Sequence, residues 1–202
     1  LPILLSRESA SPRRADGVPA VSAPHFLRRP GAARILLVVV TYKAGEAFAT
    51  GMLRPYFSDL GLTLGDIGWL LGTVGFISGL VGALVGGALA NRLGRKRALV
   101  VFGLLQAASV AGYAYMVASG PGLTAIYVLC AAEHLAGGMA TVALFTCMMD
   151  WCSAEQAASD YTVQASAVLI ATGMATMLAG FSAQALGYAG HFGLATALAL
   201  GS

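Results

Sequence analysis

Charge is what this sequence has least of. Asp, Glu, Lys and Arg supply 10% of its 202 residues, hydrophobic side chains supply 57%, and mean hydropathy is +0.76. A soluble domain carries about a quarter of its residues as charges, so most of this chain belongs in a bilayer. Cysteine is scarce as well: Cys130, Cys147 and Cys152 leave one over under any pairing and lack metal-ligand spacing, which excludes a disulfide framework and a metal cluster. Histidine and aspartate form no constellation, and no nucleophile stands beside a base. A membrane-embedded enzyme would need one or the other, so no catalytic residue, metal or cofactor is assigned. The net charge of +3 is small and unevenly placed, and it gives no ground for nucleic acid binding.

What fills the chain instead is a series of apolar runs. A hydrocarbon core about 30 Å thick takes about 20 residues of helix, which predicts five complete spans: Arg34 to Ser58, Asp66 to Ala90, Arg97 to Ala118, Gly122 to Met149 and Tyr161 to Gly187. Leu1 to Leu5 reads as the end of a preceding helix, residues 6–33 as a cytoplasmic linker, and His191 to Ser202 as the opening turns of a truncated one. The chain starts without Met and is expected to be a fragment. The Arg- and Pro-rich stretch from Ser6 to Pro30 follows an apolar tail and precedes a helix carrying Lys43 and Glu46, so it is no cleavable signal. Ten of the twelve basic residues fall before the first span or at its first residue, Arg34, or in the loop at Arg92 to Arg97. The connections near Phe57 to Leu64, Ser119 to Gly122 and Tyr188 to Gly190 hold none, which puts the basic loops in the cytoplasm. Cys147 and Cys152 then lie at the cytoplasmic end of a span, where thiols stay reduced, and read as packing residues.

Glycine is abundant. Gly65, Gly68, Gly72, Gly75, Gly79, Gly82 and Gly86 recur at steps of three and four, one bare stripe on a helix of 3.6 residues per turn, against which a neighbour can pack closely or slide. The stripe runs into Gly87-Ala88-Leu89-Ala90-Asn91-Arg92-Leu93-Gly94-Arg95-Lys96-Arg97.

Charges inside lipid cost about 2.5–3.5 kcal/mol each on insertion scales, so those that remain mark candidate sites. Lys43 and Glu46 stand i, i+3 on the first span and are expected to neutralise each other; Arg54 lies three turns beyond Lys43, near enough to the boundary to snorkel. Both a structural ion pair and the lining of an aqueous cavity fit this pattern. Glu133 falls near mid-membrane beside His134 on the fourth span; a carboxylate in low dielectric suits proton coupling. A hydrogen-bonded core role is the simpler account of either residue. Gly137-Gly138 would let another helix approach. Gln106 is expected to make an interhelical hydrogen bond, and Asp160 to cap the last full span.

The segment from Gly87 to Arg97 matches the loop motif between the second and third helices of each half of major facilitator superfamily transporters, with Asn91 where the motif often carries Asp. The chain therefore resembles the carboxy-terminal half of that all-α membrane fold, a six-helix bundle seen here as five full helices and two cut ones. By that resemblance Gly87, Asn91, Arg92, Gly94, Arg95, Lys96 and Arg97 form a gating loop. The helices bearing Lys43, Glu46, Glu133 and His134 line the central cavity, so Tyr42, Lys43, Glu46, Thr50 and His134 are candidate substrate contacts and Glu133 the proton carrier. Tyr42-Lys43-Ala44-Gly45-Glu46-Ala47 resembles the muropeptide and acetyl-coenzyme A permease branch. Gly137 to Thr141 and Asp160 to Ser166 are similar to siderophore-uptake permeases of the rhizobactin and pyochelin type. The resemblance implies proton-coupled import of a siderophore across a bacterial inner membrane, with a missing amino-terminal half as partner. Muropeptide or acyl-carrier transport is the alternative; a non-transporting scaffold or sensor is the alternative of another class.

Overall fold

A computed structural model describes residues 26–120 and 122–202, so the expected helix end at Leu1 to Leu5 and most of the linker lie outside the described residues. Among the described residues the secondary structure is entirely helical. Five stretches are long and apolar enough to cross a membrane: Ala32–Asp59, Leu64–Leu93, Arg95–Ser119, Leu123–Asp150 and Ala157–Leu200. The exposed surface is that of a lipid-facing protein, with Phe76 68%, Leu169 74% and Phe181 68% accessible.

The first stretch is two helices, α1 (Ala32–Thr50) and α2 (Leu53–Asp59). Pro55 accounts for the break. It has no N–H for the carbonyl of Gly51, and its ring crowds that carbonyl, so the helix gives way at Gly51 and Met52. The second stretch opens with α3 (Leu64–Ile67), started by a capping box in which Thr63 Oγ1 accepts from Asp66 N at 3.2 Å and Asp66 Oδ2 accepts from Thr63 N at 3.0 Å. A π-helical segment, Gly68–Val74, follows and leads into α4 (Gly75–Leu93). Then come α5 (Arg95–Ser119), α6 (Leu123–Asp150) and α7 (Ala157–Leu200).

A straight 44-residue helix would be about 66 Å long, twice the thickness of a hydrocarbon core. It does not run straight: Gly187 has φ 67 and ψ 174, a conformation open to glycine almost alone. Contacts trace a reversal there. Before it, Thr176 and Ala179 pack beside Gly51; at the turn, Tyr188 Oη donates to Asp59 Oδ2 at 2.7 Å. Past it, the His191 ring packs tilted against Phe48 and Ala199 abuts Gly45, back along α1. The end of the chain is therefore a helix running antiparallel to α1, with His191 and Phe192 fully buried.

Two clusters make the interior. Phe48, Leu53, Tyr56, Phe57, Leu70, Tyr113 and Phe192 fill the end near the Gly187 turn, with Tyr113 and Phe192 rings stacked at 5.5 Å. Val39, Tyr42, Phe102, Met139, Leu144 and Met148 fill the basic end. Close to that end, Phe26 is buried, and Arg29 reaches Asp160 and the Trp151 carbonyl.

The glycine stripe divides in two. A Cβ on Gly82 would lie 2.1 Å from the Leu135 carbonyl oxygen, one on Gly86 2.7 Å from Met139 Cα, and one on Gly138 2.1 Å from the Gly79 carbonyl oxygen. Here α4 and α6 touch backbone to backbone. Gly68 and Gly72, by contrast, face open space. The reason is the π segment: each of its turns takes roughly an extra residue, so steps of three and four do not hold one face through it.

Candidate functional site

Lys43 and Glu46, one turn apart on α1, form the expected ion pair. Lys43 Nζ also donates to Thr141 Oγ1 of α6 at 3.0 Å, and that hydroxyl in turn donates to the Gly137 carbonyl at 2.7 Å. The other Glu46 oxygen lies over Gly137, where an added Cβ would come within 2.7 Å of it. The bare α-carbon thus makes room for the carboxylate between α1 and α6.

Gln106 of α5 also reaches Gly137 and is buried, but among the described residues its Nε2 has no hydrogen-bond partner, so the interhelical bond expected of it is not formed with any of them. Glu133 is 1% exposed. Its Oε2 lies 2.9 Å from His134 Nδ1, but that nitrogen is equally close, 2.9 Å, to the Cys130 carbonyl one turn back. One imidazole proton serves one of them well, and Glu133 Oε2 is left without a well-aligned donor.

His134 joins two cavities. One, of about 390 Å³, is bordered by Glu46, Thr141, Phe76, Leu80 and the glycines Gly75, Gly79, Gly137 and Gly138. The other, of about 530 Å³, is bordered by Thr50, Gly51, Leu53, Arg54, Leu71, His134 and Thr176. The imidazole lies directly over Gly75, where a Cβ would fall 2.6 Å from it.

Of the residues expected to contact substrate, Glu46, Thr50 and His134 line these cavities, and Lys43 lies behind Glu46. Tyr42 points elsewhere: its hydroxyl donates to the Leu99 carbonyl at 2.8 Å and its ring packs on Gly103, which puts it against α5. Glu133 is interior to the bundle and lines neither cavity. Sequence reasoning gave no binding role to Thr141, Thr176 or Leu71. The first two are each one of several threonines in an apolar helix, so nothing in the sequence singled them out, and the last lies in the irregular π segment.

At the basic end, Gly94 separates α4 from α5 with φ 81, and Arg95 forms an ion pair with Asp150 at the end of α6. Gly87 is near Val142, while Asn91, Arg92, Lys96 and Arg97 are exposed. Among the described residues no hydrogen bond to the Asn91 side chain is formed. Asp160 differs from expectation. It is not the N-cap but lies within the first turns of α7, buried, where it accepts from Ser153 N at 2.8 Å, from Ser153 Oγ at 2.9 Å and from Arg29. Beside it, the Cys152 thiol is pushed above its usual range, first by burial and then by the Asp160 carboxylate, with a Gln164 hydrogen bond and Arg29 opposing.

Apolar helices, a glycine-packed α4 and α6, and a basic loop tied to the end of α6 agree with a wider likeness: residues 35–202 match the Major Facilitator Superfamily. The chain belongs to that superfamily. Its all-helical bundle is part of a multi-pass membrane fold, and the family is one of transporters rather than enzymes. Among curated relatives, the Anhydromuropeptide permease of Escherichia coli (strain K12) is 32% identical over 90% of this chain and 38% of its own length. The Putative transporter AmpG 4 of Rickettsia conorii is 29% identical over 87% of the chain and 42% of its own length. An uncharacterised protein of Haemophilus influenzae is 28% identical over 87% and 44%. This superfamily chain thus spans less than half the length of the relatives it matches.

Proposed function

We propose that the protein is a secondary transporter that moves a muropeptide-type solute across a bacterial inner membrane by alternating access. The 32% identity to the Anhydromuropeptide permease over 90% of the chain carries this reading, and it favours the muropeptide branch over the siderophore import implied by the shorter motifs. Two adjoining cavities lined by Glu46, Thr50, Arg54 and His134 support a solute with both apolar faces and hydrogen-bonding groups. A second bundle, absent from this chain, would complete the cavity. In the same reading Glu133, desolvated and next to His134, is the proton carrier, and the Arg95–Asp150 pair helps hold the cytoplasmic side closed.

The test is uptake of labelled anhydromuropeptide by cells producing the full-length protein, with and without a protonophore, and with ferric siderophore as the comparator. Protonophore-sensitive muropeptide uptake is expected. Uptake of the siderophore alone would reverse the assignment, and uptake insensitive to the protonophore would remove the proton from the mechanism.

A further inference from the structure

Two cations stand on the first span, and the structure treats them differently. Lys43 is committed, paired with Glu46 and bonded to Thr141. Arg54 is exposed and, among the described residues, has no carboxylate within ion-pair distance, yet it borders the 530 Å³ cavity. Its position follows from Pro55, whose break in the helix turns the chain off the line of α1 just before it.

The rest of the lining is complementary in a particular way. The Thr50 hydroxyl gives its proton to the Glu46 carbonyl at 3.0 Å, and the Thr176 hydroxyl gives its own to the Thr172 carbonyl at 2.9 Å. Both therefore offer lone pairs to the cavity. Gly51 borders the same cavity, and Pro55 cannot supply the helical donor for its carbonyl. A guanidinium surrounded by acceptors fits a carboxylate flanked by N–H or O–H donors, which is the chemistry of a peptide carboxylate next to its amides.

We propose that Arg54 binds a carboxylate on the peptide arm of the transported solute, in place of the role expected of Lys43, with Thr50 and Thr176 accepting from the N–H groups next to that carboxylate. The proposal rests on the muropeptide reading. Arg54 fixes the solute's orientation through a forked pair of hydrogen bonds that an ammonium does not reproduce, while His134 borders both this cavity and the second one.

The experiment measures uptake kinetics in cells producing the full-length protein, wild type, Arg54→Gln and Arg54→Lys, with labelled anhydromuropeptide and with the same solute after amidation of its peptide carboxylates. Arg54→Gln is expected to raise KM for the carboxylate form by about tenfold or more, Arg54→Lys by less, and both to raise KM for the amidated form by a clearly smaller factor, since a carboxamide keeps a neutral hydrogen bond but loses the charge. Surface labelling confirms equal amounts of each variant in the membrane. An unchanged KM in Arg54→Gln, or equal losses for both solutes, overturns the assignment of Arg54. Failure of the wild type to take up either solute overturns the muropeptide reading itself, and the subsite with it.

Discussion

At the scale of single residues, the decisive question is what stands next to each α-carbon. Gly82 and Gly138 allow α4 and α6 to touch, and a methyl group at either would meet a carbonyl oxygen at 2.1 Å. Gly82→Ala and Gly138→Ala are each expected to cost about 1–3 kcal/mol as the helices are forced apart, seen as a lower unfolding temperature in detergent. Gly72→Ala, in open space, should be neutral or gain up to about 1 kcal/mol from helix propensity. Equal effects at Gly72 and Gly82 would contradict the division of the stripe. The Lys43–Glu46 pair has a similar contrast. Lys43→Met leaves a half-buried carboxylate without its cation and should cost on the order of 3 kcal/mol, whereas Lys43→Met with Glu46→Leu recovers much of that loss; unfolding of the two variants side by side measures the difference. The ion pair was legible in the sequence because i, i+3 spacing on a helix fixes the neighbours. The division of the glycines was not, because the π segment interrupts the period on which the stripe was drawn.

At the scale of elements, breaks in helices do most to shape this chain, and sequence foreshadowed them unevenly. Gly187 closes the turn that brings the final helix back along α1, in a conformation a side chain resists. Gly187→Ala should cost about 1–3 kcal/mol through backbone strain alone, since nothing lies within 4 Å of the added methyl; a loss of correctly folded protein in size-exclusion profiles is the readout. The end of the fifth span was expected at Gly187, because the hydropathy limit for one crossing is reached there. The packing of the next helix, with His191 on Phe48, was beyond the sequence, since aromatic neighbours 143 positions apart leave no local periodicity. The span from Arg34 to Ser58 was expected to be one helix; the break at Pro55, and an arginine at a cavity with no carboxylate partner among the described residues, emerged only from the three-dimensional arrangement of α1, the π segment and α7.

At the scale of the whole molecule, the basic end is held by contacts that cross the chain. Arg29, Asp160 and Ser153 tie the entrance of α1 to the turn before α7, and Arg95 ties the entrance of α5 to the end of α6. Cys152 in that turn reports on both sidedness and burial. Its thiol is held above the ordinary value, so it remains protonated to higher pH in the folded protein than in the unfolded one. Below the unfolded thiol's value of about 8.5 both states carry the proton and stability is unaffected. As pH climbs through that value the unfolded state releases its proton first, and native stability falls. Alkylation of Cys152 should thus be slow at neutral pH and accelerate only in the alkaline range. An impermeant maleimide should reach it in inside-out vesicles and not in intact spheroplasts. A midpoint at or below the free thiol's value would contradict the burial, and labelling from the outside would contradict the proposed orientation.

The sequence by itself determined that this chain is a series of apolar helices long enough to cross a bilayer and which loops carry positive charge, because these follow from local hydropathy, length and the placement of Lys and Arg. It also marked Lys43, Glu46, Glu133 and His134, since a charge within an apolar run is conspicuous wherever it points. Only the tertiary structure decided which of those charges are already satisfied, which half of the glycine stripe is a contact, and which cation faces open space. Those outcomes depend on the rotation of each helix about its axis, which is set by side chains far apart in the sequence.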